Sequence, residues 1–292
     1  MKKLIVLALL SSAVFAKVNV ATTYQYLGEV VKAIGADEVK VDVLANPKLD
    51  PHFIVPKPSL IGKLRREDLL IINGGQLEIG WLPPLLKSAH NEKINAGGEG
   101  FLDVSRVVHM IDKPKSVSRA YGDIHPDGNP HFATDIHNIV PIAKLIARKL
   151  ESIDVEHKAV YVQNLKKFVK KYQTLSKTLS HQMKSCKEHK VVQYHELFNY
   201  VLHTNGIKSL GNLEPLPGIS PSSKHTLMLI NLIKKEKIKT ILQDVYHEKK
   251  TARFIADKTG AKVNIVPHDV GATKEADTLE NFYKSIAKQL CP

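Results

Sequence analysis

Two kinds of hydrophobic pattern take turns along this chain of 292 residues. Short apolar runs at 18–21, 39–44 and 69–72 predict strands. Between the first two, apolar positions three and four apart over 26–34 predict a helix that Gly35 ends. Pro47, Pro51, Pro56 and Pro58 force a loop after the second strand, and Ser59 stands where it can cap the next helix. From about 138 to 184 the period changes. Ile142, Leu145, Ile146 and Leu150, then Leu165, Phe168, Val169, Tyr172, Leu175 and Leu179, predict two successive helices, the second long. Alternation then resumes, with strands expected at 190–194, 238–243 and 263–266 and helices at 196–204, 227–235, 251–259 and 278–290.

Strand and helix in alternation predict an α/β protein with mainly parallel sheets. The reading is two lobes, each a sheet flanked by helices, joined by a long interlobe helix, with a ligand site in the cleft. The lobes fall at 17–137 and 186–292, with 138–185 as the interlobe helical segment.

The N-terminus adds a destination. Lys2 and Lys3, an apolar run over 4–10 and the small residues before Lys17 predict a cleavable signal peptide over 1–16. The run is too short to span a membrane. No cysteine follows the cleavage point, so a periplasmic chain without a lipid anchor is expected. The formal charge is +13, of which Lys2 and Lys3 supply two. The lysines crowd at helical spacing and no stacking aromatics accompany them, which argues against nucleic acid as a partner. Cys186 and Cys291 are the two cysteines, and in an oxidising compartment they make a candidate disulfide.

Candidate chemistry sits just past the strands, where open α/β sheets bind ligands. His52, His195, Asp244 and Asp269 each follow a predicted strand, and His131 lies in a loop stiffened by Pro130. Three imidazoles and a carboxylate suit a tetrahedral zinc ion. Asp269 can equally cap the segment after it, and Asp244 can cap a turn or fix an imidazole tautomer. The remaining histidines among the 14, such as His109, His137, His157, His181, His189 and His203, read as surface or helix-face residues.

Other chemistries find less support. His195-Glu196-Leu197-Phe198-Asn199 begins like a zinc-protease helix but has Asn199 in place of the second histidine. No phosphate loop, dinucleotide fingerprint, nucleophile elbow or Cys-x-x-Cys occurs. A secreted zinc hydrolase would need Glu196 as its base, and an adhesin would rest on the basic charge alone.

Asp50-Pro51-His52, Ile124-His125-Pro126-Asp127-Gly128-Asn129-Pro130-His131, His195-Glu196-Leu197-Phe198-Asn199-Tyr200 and Glu214-Pro215-Leu216-Pro217-Gly218-Ile219-Ser220-Pro221-Ser222 occur in this order, with Gly80-Trp81-Leu82 as a weaker match. Jointly the chain resembles the zinc and manganese solute-binding proteins of bacterial ABC importers. The resemblance covers essentially the whole chain after its leader. It implies a rigid interlobe helix, a metal between the lobes, and a monomer that delivers the ion to a membrane permease and its ATPase. It implies His52, His131, His195 and Asp269 as ligands. The segment Pro267-His268-Asp269-Val270-Gly271 departs from the family pattern, so His268 competes with Asp269 for the fourth place. The long His-rich loop of many zinc members is absent or minimal here; only His90, His109 and His125 stand in that region. Three imidazoles favour Zn2+ over Mn2+, which prefers more oxygen ligands.

Overall fold

In a computed structural model of the chain, residues 16–116 and 125–292 are described. The expected leader therefore lies almost wholly outside the described residues. No helix among these residues is long and apolar enough to cross a membrane.

Two four-stranded parallel sheets form the frame. In the first, β1 (Val18–Thr22), β2 (Val39–Val43), β3 (Leu69–Ile72) and β4 (Phe101–Asp103) stand in the order β2-β1-β3-β4. In the second, β5 (Lys190–Gln193), β6 (Lys208–Asn212), β7 (Thr240–Gln243) and β8 (Lys262–Ile265) stand in the order β6-β5-β7-β8. All pairings are parallel. Parallel neighbours need a crossover, and helices supply it on the sheet faces.

Around the first sheet lie α1 (Gln25–Gly35), α2 (Pro58–Leu64) and α3 (Leu82–Ala89). Two helices follow as the periodicity predicts, α4 (Ile139–Ile153) and α5 (Lys158–Met183). At 26 residues, α5 is roughly 39 Å long at 1.5 Å per residue. It packs on α1 and α4 at one end and on α9 (Leu279–Leu290) at the other. The second sheet is flanked by α6 (Asn199–Thr204), α7 (Ser223–Glu236) and α8 (Lys250–Thr259).

The core does not divide where the sheets do. One continuous apolar cluster runs from Val20, Leu27 and Ile71 through Ile142, Tyr161 and Phe168 to Val191, Leu202, Phe282 and Leu290. A smaller cluster, with Val192, Ile233, Ile241 and Ile255, covers the far face of the second sheet. Cys186, just past α5, is bonded to Cys291 at the end of α9 with Cα atoms 5.8 Å apart.

Some boundaries differ from expectation. Helix α2 starts at Pro58 with Lys57 as its N-cap, so Ser59 lies inside it; proline at the first helical position needs no donor there. Helix α7 starts earlier than its apolar pattern suggests, because Ser222 caps it by accepting the His225 N–H at 3.2 Å. The segment over 196–204 opens as a 3-10 turn before α6.

Candidate metal centre

Three of the expected ligands meet. Ring nitrogens of His52, His131 and His195 all lie within 4.8 Å of one another, and all three residues are buried. Their ring centroids stand 5.1, 5.1 and 5.4 Å apart with planes 74° to 80° from parallel. The Nε2 atoms of His131 and His195 are 3.1 Å apart. A tetrahedral zinc ion with Zn–N near 2.0–2.1 Å places its ligand nitrogens about 3.3 Å apart, so this pair already has the spacing of two ligands.

Each histidine is delivered by local rules. His52 sits in the loop after β2, where the Pro51 carbonyl accepts from Tyr24 Oη at 2.9 Å and Trp81 Nε1 at 3.2 Å. Asp50 Oδ1 accepts both the backbone N–H and the ring Nδ1–H of His52, at 2.9 and 2.8 Å. A carboxylate can only accept here, so Nδ1 carries the proton and Nε2 keeps its lone pair. That Nε2 is buried and has no hydrogen-bond partner. His195 follows β5 directly, and its Nδ1–H donates to Glu214 Oε2 at 2.8 Å, freeing its Nε2 in the same way. His131 ends the Asn129-Pro130-His131 stretch, its N–H held by Asn129 Oδ1 at 2.9 Å. Asn129 also reaches the second half, donating to the Glu196 carbonyl at 2.8 Å.

Behind these lies a layer of carboxylates. Glu214 Oε1 accepts from His247 Nε2 at 3.2 Å, and His247 Nδ1 donates to Asp244 Oδ2 at 2.8 Å. Asp244 thus fixes a histidine, but His247 rather than a ligand. Burial opposes the charge on His247, yet Asp244 and Glu214 outweigh it and raise its pKa to about 9. Burial likewise opposes ionisation of Glu214, and the bonds from His195 and His247 outweigh it, lowering its pKa to about 2. Burial, then the hydrogen bond and charge of His52, act in opposition on Asp50, and the net effect lowers it. Burial and the neighbouring imidazoles hold His131 well below the ordinary histidine range, so it offers a neutral lone pair.

Asp269 is not among the ligand atoms within 4.8 Å of one another, although it lines a cavity together with His131 and His268. It is buried with its carboxylate on the start of α1, where Oδ2 accepts from Gln25 N at 2.8 Å and Oδ1 from Tyr26 N at 2.9 Å. Its own neighbour Val270 donates a third bond at 2.8 Å. A helix N-terminus is a ready acceptor site for an anion, and this one is filled from the opposite half of the chain. His268 is buried against the Tyr246 ring at 5.0 Å. Glu196 lines the cleft, but its Oε1 accepts from Asn212 Nδ2 at 3.1 Å.

Residues 20–291 match the family described as ZnuA, zinc-uptake complex component A, periplasmic. The chain belongs to that family. The zinc-binding lipoprotein AdcA of Streptococcus pneumoniae is 22% identical over 282 residues, which cover 94% of this chain and 54% of the relative. The chain therefore spans about half the length of that relative. The high-affinity zinc uptake system protein ZnuA of Bacillus subtilis is 26% identical over 283 residues, covering 94% and 85% of the two chains. A crystal structure of ZnuA has the same fold, with a TM-score of 0.78 at 21% identity over 94% of this chain and 98% of that one. The family is one of solute-binding receptors. Since AdcA is a lipoprotein, the expected absence of a lipid anchor rests on the leader sequence alone.

Proposed function

We propose that this chain binds a zinc ion between its two halves outside the cytoplasm and hands it to the permease of an ABC importer. The observation that carries the reading is the convergence of His52, His131 and His195, with two of the three tautomers set by Asp50 and Glu214 so that Nε2 faces inward. Carboxylate-backed imidazoles are the usual construction of a zinc site. The donor set is nitrogen-rich, which favours zinc over manganese. Asp269 is proposed as an anchor between the halves rather than as a ligand. The Asn212 bond to Glu196, with Asp50 and Glu214 engaged by His52 and His195, supports a carrier over a hydrolase, since these carboxylates are each held by a partner in the protein. The export reading adds a cleavable leader over 1–16 and a single chain acting as a monomer.

Metal analysis of protein recovered from its native compartment, without added metal, tests the reading. About one zinc per chain, together with loss of zinc uptake on deletion of the gene, is the expected result. Predominant manganese, or uptake indifferent to deletion, overturns it.

A further inference from the structure

His125 was an unassigned histidine in the sequence, and its position in the fold singles it out. The turn over 125–128, closed by Gly128 N to the His125 carbonyl at 3.1 Å, folds its ring onto the cluster. The ring stacks on His52 with centroids 5.4 Å apart and planes 26° from parallel, and lies 6.3 Å from the His131 ring. It lines the same cleft as His131, His195 and Glu196. Its Nε2 is buried without a hydrogen-bond partner, which is the state of His52 Nε2 as well. Buried polar atoms are nearly always paired, and among the described residues three imidazole nitrogens are not: Nε2 of His52, Nε2 of His125 and Nδ1 of His268.

A tetrahedral ion on three histidines has a fourth position to fill. Asp269 is committed to the N-terminus of α1 through three backbone N–H donors. His268 packs on Tyr246 and lines, with Asp269, a cavity that reaches His131 but not His195, whereas His125 lines the cleft shared by His131 and His195. Resting on the proposed zinc reading, we infer that His125 is the fourth protein ligand, so that the cargo ion is held by four imidazoles. Its nitrogen is not among those already within 4.8 Å of one another. Binding therefore requires the ring to swing off the face of His52 toward the ion, closing the cleft over it. Charge balance agrees. Four neutral imidazoles leave the ion's two positive charges uncompensated. Asp50 and Glu214, each 2.8 Å from a ligand Nδ1, supply two negative charges, while His247 and Asp244 offset one another.

The test combines zinc calorimetry with X-ray absorption on the zinc-loaded full chain, for wild type and for His125→Ala and His125→Gln. Circular dichroism and the metal-free melting temperature confirm that each variant folds. Four imidazoles in wild type, three in both variants, and a loss of affinity on the order of tenfold or more are expected, since even partners behind the ligands matter that much. Wild-type protein that binds zinc through three imidazoles, with either variant unchanged in affinity, overturns the role of His125 and leaves the zinc reading standing. Weakened variants whose imidazole count equals that of wild type also overturn it, because stacking on His52 would then be the whole effect. Wild-type protein that takes up no zinc sinks the zinc reading itself.

Discussion

The carboxylate of Asp269 accepts the backbone N–H of Tyr26 at 2.9 Å, which ties the second half of the chain to the first turn of α1 in the first half. Burial pushes this carboxyl up to about 7, against the pull of its three backbone donors. The bond is nonlocal, bridging 243 positions in sequence, so its loss should be felt as lost cohesion between the halves. Asp269→Ala leaves buried N–H groups without an acceptor, at about 1–3 kcal/mol. The melting temperature of the metal-free variant should fall, and zinc should still bind. An unchanged metal-free melting temperature, or loss of zinc binding without loss of stability, would return Asp269 to the ligand shell.

His52→Ala, His131→Ala and His195→Ala should each weaken zinc binding by at least about tenfold, more than the loss of a partner behind a ligand. Calorimetry on the three variants checks this. Wild-type affinity in any one of them removes that residue from the site.

The carboxylate layer makes a pH signature. His247 is raised to about 9 in the folded protein, so its contribution is complete below the ordinary imidazole value near ~6.5 and fades as pH rises through the folded value. Glu214 is lowered to about 2, so its contribution is complete above the ordinary carboxylate value near ~4.3 and fades as pH falls through the folded one. The stability difference between wild type and His247→Gln, both metal-free, should therefore be largest between those two ordinary values and shrink at alkaline pH. Urea midpoints at pH 6 and above pH 9 measure it; a difference that does not vary with pH would mean His247 acts by packing alone.

The Cys186–Cys291 bond spans 105 positions of chain. Loop-closure entropy of that size is on the order of 4–5 kcal/mol. Reduction, or Cys291→Ser, should lower the urea midpoint markedly while the sheets persist. No change on reduction would show that the packing of α9 against α5 already restrains this end.

Zinc should raise the melting temperature, by about 2.7 kcal/mol of stability at a hundredfold excess over Kd. Small-angle scattering should register little change on its addition, since α5 and the shared core run through both halves. A large compaction would refute the rigid spine.

What could be read in the sequence followed from strong local pattern. β2 and β5 end at the loops that carry His52 and His195, so these two were visible as residues past strand ends, while His131 was visible through the loop that Pro130 stiffens. The edge strands β4 and β6 were not, because Phe101-Leu102-Asp103 and Lys208-Ser209-Leu210-Gly211-Asn212 are too short or too polar to alternate. The carboxylate layer was hidden for a different reason. Asp50 reaching the ring of His52 is a local habit that Asp135 and His137 repeat at 2.7 Å without joining the three-histidine cluster, so the pairing does not itself mark a site. Glu214 and His247 meet only because β6 and β7 flank β5 in the sheet, which brings the loops after them together. Asp269 followed a strand as expected, but which way its carboxylate faces depends on where α1 begins in space, and no local signal encodes that.

The shared core also bears on timing. On the proposed function, an ion held between halves cast around one apolar interior would leave at a rate set by a few side chains at the mouth, and a docked permease would hasten departure by tugging on a loop rather than by prising the molecule apart.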